Sequence, residues 1–244
     1  MSRHQTPYRR SRQRYLAVVA FAGGLSLSLG VLAPAEPAQA KIAGPAAVAL
    51  PAAQQAAAEK VVYLSFDDGP SSGYTPKILN ILAKRGVRAT FFVLGENVNR
   101  YPSLTLRAHE RGHSIQNHTW SHPDLRQVSW KTFTSQVGRT DRVIRAQTGY
   151  TPRCLRPPYG SVDSKVRSRA GSLGKTVKLW TVDPRDWSRP GSSVIARRVL
   201  DNVRPGSIIL LHDGGGDRSQ TVAALPTILR TLKARGYTFR RMWC

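Results

Sequence analysis

Cysteine is scarce. Two residues in a chain of 244 cannot build a disulfide scaffold or a four-thiolate zinc site. Acidic residues are also scarce, 14 Asp and Glu against 37 Lys and Arg, which leaves a formal charge of +23. No succession of long apolar runs is present, which excludes a polytopic membrane protein, and there is no internal repeat. What is present is 41% hydrophobic and 21% charged residues. These are globular values and exclude wholesale disorder. The length suits one domain with extra segments, or two small domains, and suffices to bury a core without covalent staples.

The N-terminus has the three parts of an export signal. Arg3, Arg9, Arg10, Arg12 and Arg14 form a basic segment without acids, Leu16–Ala33 is apolar, and Ala38-Gln39-Ala40 is a small-x-small site. Residues 1–40 are therefore read as a secretory signal peptide cleaved after Ala40. An uncleaved membrane anchor is the second reading. Gly23, Gly24, Ser26, Ser28 and Gly30 weaken the anchor, and Arg9-Arg10 fits a twin-arginine signal poorly. Without the five arginines and Glu36, the remainder keeps 32 basic and 13 acidic side chains, or +19. Such a charge favours a polyanionic setting. Outside the cytoplasm that means anionic cell-wall polymers or lipid head groups rather than nucleic acid. Secretion or cell-wall association is the expectation. In an oxidising compartment Cys154 and Cys244 form either one bridge or two free thiols, with the bridge favoured.

Residues 41–59, rich in Ala, Pro and Gln, read as a flexible spacer. From Val61 onward, β-type and α-type patterns alternate. Strands are predicted at 61–66, 89–94, 113–117, 153–156, 176–182, 207–212 and 237–239. A helix is predicted to start at Thr75-Pro76, with Thr as its cap. Further helices are predicted at about 102–111, 129–148, 161–173, 191–203 and 219–235. Alternation of this kind predicts an α/β fold with parallel strands and helices outside. About seven strands fit either an open doubly wound sheet or a barrel.

Polar groups interrupt the apolar strands at characteristic places. The first strand runs into Asp67-Asp68-Gly69-Pro70. Burying two adjacent carboxylates is costly unless a cation or donor compensates. His118 and His122 share one face if their segment is helical, so that both imidazoles could grip one metal ion. With an Asp they would make three ligands and leave room for water and substrate. Arg156-Pro157-Pro158-Tyr159-Gly160 presents a guanidinium fork on a rigid backbone. Asp183-Pro-Arg-Asp186-Trp187 follows a strand, and Leu210-Leu211 leads into His212. Taken singly, each motif also reads as a structural turn or a satisfied core histidine. Four of them stand at strand C-terminal ends, where parallel α/β folds carry their sites. His109 and His113 read as surface or capping groups. Trp120 and Trp130 read as packing, and Trp180 as mid-strand core.

In this order and spacing the five segments resemble the polysaccharide deacetylase family, with its NodB homology domain (carbohydrate esterase family 4). The resemblance covers about residues 60–242. Two mild departures are Ser65, where Thr is common, and Gln116, where Gly is common. The resemblance implies a distorted (β/α) barrel of about seven parallel strands, with residues 60–244 as the NodB-like domain. It implies a metal triad of Asp68, His118 and His122. Asp67 corresponds to the general base that takes a proton from a metal-bound water, and Arg156 to the partner that holds Asp67 charged. His212 corresponds to the general acid, supported by Asp186 or Asp183. Tyr159 corresponds to the backbone donor to the oxyanion. Trp187 and Leu211 correspond to walls of an acetyl pocket.

The implied activity is metal-dependent hydrolysis of N-acetyl groups on N-acetylglucosamine-containing glycans, either peptidoglycan or chitin oligomers. Amide hydrolysis needs a nucleophile at neutral pH, an oxyanion partner and an acid for the leaving amine, which together imply a bell-shaped pH profile. One carboxylate and two imidazoles suit Zn2+ first, with Co2+ or Ni2+ as alternatives. The competing readings are an acetylxylan O-deacetylase and a non-catalytic cell-wall glycan-binding relative. No nucleic acid and no stable protein partner are expected. The polymer, the oligomeric state and the choice between Asp183 and Asp186 stay open at this level.

Overall fold

The computed structural model describes residues 59–244, which lie within one unit, Gln55–Cys244. The signal segment and all of the spacer except Glu59 fall outside the described residues. Among the described residues no helix is long and apolar enough to cross a membrane.

Strand β1, Lys60–Asp67, is central and has two faces. Val62, Leu64 and Phe66 pack outward into the main core, as the period of two in a strand requires. Tyr63, Ser65 and Asp67 face the other way. The chain then alternates: α1 (Thr75–Lys84), β2 (Thr90–Val93), α2 (Gly95–Arg100), α3 (Pro102–Glu110), β3 (Ser114–Asn117), α4 (Trp130–Thr148), β4 (Cys154–Leu155), α5 (Ser164–Ser172), β5 (Thr176–Val177), α6 (Ser192–Asn202), β6 (Ile208–His212), α7 (Ser219–Ala234) and β7 (Tyr237–Arg240). The sheet order is β5-β4-β3-β2-β1-β6, and β7 also pairs with β1. Every pairing is parallel. The sheet curls into a distorted (β/α) barrel. An isolated parallel bridge from Val182 to Ile209 draws its two edges together.

The outer layer is apolar on one stripe of each helix. Ile78, Leu79 and Leu82 of α1, Ile195 and Val199 of α6, and Leu225, Ile228, Leu229 and Leu232 of α7 meet the outward face of β1 and β6. Each such burial is worth about 1.5–3 kcal/mol. Helix α4 is capped as its sequence suggests. The Ser129 hydroxyl accepts from the Thr132 N–H, and Gly149 ends the helix in the left-handed region, φ 77°. Helix α1 differs from expectation, because its cap is Tyr74 and not Thr75. The Thr75 hydroxyl instead accepts from the Ser71 N–H at 2.7 Å and donates to buried Asp213 at 2.5 Å.

Two predicted strands are reduced to two residues each. The expected strand over 176–182 survives only as Thr176–Val177. The carbonyls of Lys178 and Leu179 turn to the Arg156 guanidinium, each at 3.1 Å, and leave the ladder. The expected 153–156 strand stops at Leu155, where Pro157 and Pro158 follow and offer no N–H donors. Helix α2 was not predicted, since six residues with two buried positions carry no periodic signal.

Cys154 and Cys244 are disulfide-bonded, with Cα atoms 5.4 Å apart and a sequence separation of 90. The bond ties the segment after β7 to β4. Met242 of that segment packs with Phe92 and Cys154 inside the barrel, and its N–H donates to the Thr90 hydroxyl at 2.8 Å. Closing so long a loop restricts the unfolded chain. Loss of the bond is expected to lower stability by up to about 4–5 kcal/mol. Urea unfolding of the parent with and without reductant, beside Cys244→Ser, measures this. An unchanged midpoint would show that the bond stabilises nothing.

Candidate active site

The C-terminal ends of β1, β3 and β6, with the segments after β4 and β5, enclose a cavity of about 420 Å³. Asp67, Asp68, His118, His122, Tyr159, Trp187 and His212 line it. Two further expected residues stand directly behind the lining: Arg156 under Asp67, and Asp186 behind His212. Leu211 is elsewhere. It lies in the outer core, because β6 alternates and only Ile208, Leu210 and His212 share the inward face. Leu210 lines the cavity in its place, so the expected apolar wall is off by one residue. Trp180, expected in the core, also lines the cavity.

β1 ends at a sharp turn. Asp68 has φ 71°, in the left-handed region, and its carbonyl accepts from the Asn97 side chain at 2.7 Å. A Cβ on Gly69 would lie 2.2 Å from the Asp213 carboxylate, so only glycine fits there. Asp213 is fully buried. One oxygen is held by Thr75, and the other has no partner. Burial raises its pKa to about 7, against the Thr75 hydrogen bond and with help from the nearby Asp68 and Asp67 charges. Asp213 was missed in the sequence, although it directly follows His212.

Asp67 is held from below. Arg156 is 0% exposed. Its Nη1 donates to Asp67 Oδ1 at 2.7 Å and to the Ser65 hydroxyl at 2.9 Å, and its guanidinium stacks on Phe92 at 3.9 Å. The second Asp67 oxygen points to the histidines, 3.8 Å from His118 Nε2.

His118 and His122 do meet, but through a turn rather than a helix. Thr119 has φ 74° and His122 has φ 64°. Each Nε2 lies 3.4 Å from Asp68 Oδ1. Among the described residues these three form the one cluster with metal-ligand spacing. The donor set fits a divalent cation on three observations. Asp68 Oδ1 is buried without a hydrogen-bond partner. His118 Nδ1 is committed to the Arg156 carbonyl at 2.7 Å, which turns the Nε2 lone pair toward Asp68. Without a cation, burial would push the Asp68 carboxyl up, yet charge on the adjacent imidazoles, His118 foremost, holds it well below the usual carboxylate range, a role that a bound cation would take over once the imidazoles give up their protons.

At the end of the neighbouring strand β6, where His212 pairs in register with Asp67, His212 Nδ1 is 2.7 Å from Asp186 Oδ1. The second Asp186 oxygen accepts from the His212 N–H at 2.9 Å and from the Thr221 hydroxyl at 2.7 Å. Asp186 is therefore the carboxylate beside this histidine. Asp183 is exposed and accepts from the Arg185 N–H instead. Burial alone would lower the His212 pKa. The Asp186 hydrogen bond and charge, then those of Asp67 and Asp68, reverse this and raise it to about 9. Tyr159, φ 60°, and Trp187 form the rim, 69% and 45% exposed. The Tyr159 ring meets His122 at 4.5 Å.

His113 is not the surface group expected. It is buried, and its Nδ1 accepts from the Ala89 N–H at 3.0 Å. Burial and the surrounding arginines lower its pKa to about 4, so it is a neutral structural histidine.

Fold and site together define the class: a curled parallel α/β barrel with a two-histidine, one-aspartate cluster of metal-ligand spacing at its strand ends, flanked by a carboxylate–arginine pair and a carboxylate–histidine pair. A family profile described as polysaccharide deacetylase matches residues 54–177. The chain is 39% identical over 195 residues to the peptidoglycan-N-acetylglucosamine deacetylase PgdA of Listeria monocytogenes, over 80% of this chain and 41% of that protein. It is 43% identical over 192 residues to a chitooligosaccharide deacetylase of Sinorhizobium fredii, over 74% of this chain and 89% of that one. The solved Bc1960 peptidoglycan N-acetylglucosamine deacetylase superposes with a TM-score of 0.74 at 38% identity, over 76% of this chain and 87% of that one. The chain belongs to the polysaccharide deacetylase family. It spans about two-fifths of the length of the Listeria relative.

Proposed function

We propose that this chain is an exported, metal-dependent hydrolase that removes N-acetyl groups from N-acetylglucosamine-containing glycans of the peptidoglycan or chitin-oligomer type. One observation carries the reading: Asp67 and His212, register partners at the ends of β1 and β6, line one cavity with the Asp68–His118–His122 cluster, and each is backed by a buried partner, Arg156 and Asp186. The relatives named above are a peptidoglycan-N-acetylglucosamine deacetylase and a chitooligosaccharide deacetylase, and the expected signal supports export.

Asp68, His118 and His122 would hold the cation, Zn2+ first, with Co2+ or Ni2+ as alternatives. Such an ion, when bound, polarises the acetyl carbonyl and makes water nucleophilic at neutral pH. The protein's own groups do the rest. Asp67, oriented by Arg156, takes one proton from the attacking water. The water oxygen bonds to the acetyl carbon, and the carbon–nitrogen bond then breaks. His212, protonated at Nε2 while Nδ1 is tied to Asp186, gives its proton to the leaving nitrogen. Acetate and a free amine result. The Tyr159 main-chain N–H serves the developing oxyanion. Trp187 and Leu210 take the acetyl methyl between them, and the exposed Tyr159 and Trp187 rings offer faces to the sugar. The basic surface holds the enzyme near anionic wall polymers.

Acetate release tests this reading on N-acetylglucosamine oligomers, peptidoglycan and acetylxylan, with protein stripped of metal and reloaded with Zn2+. Release from the N-acetylated glycans is expected only after reloading. Release from acetylxylan alone would reassign the substrate to O-acetyl esters. Zn2+ bound in full with no release from any polymer would leave a glycan-binding protein.

A further inference from the structure

The turn that joins the two imidazoles has few main-chain hydrogen bonds of its own, yet a side chain holds each of its N–H groups. The Thr119 N–H donates to Asn117 Oδ1 at 2.8 Å. Those of Trp120 and Ser121 both donate to Gln136 Oε1, at 2.8 and 2.9 Å. That of His122 donates to the Thr119 hydroxyl at 3.2 Å. Thr119 and His122 both stand in the left-handed region, which costs a non-glycine residue roughly 1–2 kcal/mol. A turn so strained holds its shape only where its surroundings impose it.

The side chains that hold its N–H groups lie on or beside α4, while the Gly95 and Glu96 N–H groups of α2 donate to the Thr119 and Trp120 carbonyls at 3.0 and 3.2 Å. Asn117 Nδ2 donates to Asp141 Oδ1 at 2.8 Å and to the Val137 carbonyl at 3.0 Å. With both amide hydrogens directed at α4, Asn117 Oδ1 is left facing the Thr119 N–H. The other Asp141 oxygen pairs with Lys175 Nζ at 2.5 Å. The Lys175 side chain is only 3% exposed and also donates to the Pro152 carbonyl. A buried ion pair of this kind is a poor stabiliser, since desolvation consumes most of the attraction. Here it has a directional use. Lys175 keeps Asp141 an acceptor, and Asp141 keeps the Asn117 amide from turning its NH2 toward another N–H.

We propose that Asn117, Gln136 and the Asp141–Lys175 pair are positioning residues that set the separation of the two imidazole nitrogens, with α4 as the template. The proposal rests on the metal-site reading above and goes beyond it, because none of these four side chains belongs to the ligand triad. It makes metal affinity a property of α4 as well as of the three ligands.

Zn2+ affinity, measured by competition with a chromophoric chelator, tests it without recourse to activity. Gln136→Ala changes a half-buried position and should leave the fold intact. Asp141→Leu combined with Lys175→Met removes both charges together, so that neither is stranded. Each is expected to weaken Zn2+ binding by about 10- to 100-fold. Gln136→Glu keeps the acceptor for both N–H groups and should retain the parent affinity. Val199→Ala, in the outer core on α6, controls for general destabilisation: it should lower the melting temperature and leave Zn2+ affinity unchanged. Folded Gln136→Ala that binds Zn2+ as tightly as the parent would overturn the proposal, as would an equal loss in Val199→Ala. A parent that takes up no Zn2+ would overturn the metal reading and this proposal with it.

Discussion

Asp67→Asn is expected to lower kcat/KM for acetate release by about 10²–10⁴-fold, the usual contribution of a positioned general base. The substitution is nearly isosteric. An amide oxygen can still accept from Arg156 Nη1, now 2.7 Å away, so the side chain has reason to stay in place. What it loses is the ability to take a proton. Asp68, His118 and His122 are untouched, and Zn2+ affinity should therefore stay within a few-fold of the parent. A second consequence is thermodynamic. Arg156 is wholly buried, and Asp67 is the one carboxylate among its hydrogen-bond partners. Removing the counter-charge strands a buried cation, which typically costs about 3–5 kcal/mol. The variant should thus be inactive, metal-loaded and markedly easier to unfold in urea. Activity within tenfold of the parent would remove Asp67 from the role of base.

Asp186→Asn carries the other large effect. Asp186 receives three hydrogen bonds, two of them from His212. An amide there can present NH2 to Nδ1, which favours the wrong tautomer and removes the charge that stabilises the imidazolium. Loss of the carboxylate behind a catalytic histidine can cost about 10⁴-fold. The residual activity should also change its pH dependence. On the proposed mechanism His212 works in the protonated form, so activity should be present below its pKa and disappear as pH rises through it. In the cation-free site that pKa is raised to about 9. A bound dication opposes the proton and moves this limb downward, and deleting the Asp186 charge moves it further in the same direction. A pH–rate profile of parent and variant measures the displacement. An alkaline limb that stays in place in the variant would mean that the limb does not belong to His212.

Much of the site was legible because its residues break patterns. Carboxylates and a histidine at the ends of apolar strands are conspicuous in β1 and β6, and the alternation of elements pointed to parallel strands. What was not legible is of three kinds. The first is facing: Leu211 and Leu210 are adjacent and equally apolar, and only the register of β6 against β1 shows which one turns inward. The second is local geometry. Two histidines four apart suggest a helix, while the observed turn, with Thr119 left-handed, is held by Asn117 just before it and by Gln136 of α4. The same holds for Trp180, whose predicted strand dissolves because distant Arg156 takes the carbonyls before it. The third is the choice of partner: Asp183 and Asp186 are alike in sequence, and only the fold shows which one Thr221 and His212 share.

The two faces of β1 have an evolutionary consequence. Val62, Leu64 and Phe66 answer to the helices, while Ser65 and Asp67 answer to Arg156 and the cavity. Substitutions on one face share few partners with those on the other, so their effects should combine nearly additively. A lineage on this scaffold can therefore change its working temperature and its preferred glycan by separate routes. Drift in the helical shell need not wait on chemistry, nor a change of diet on the shell.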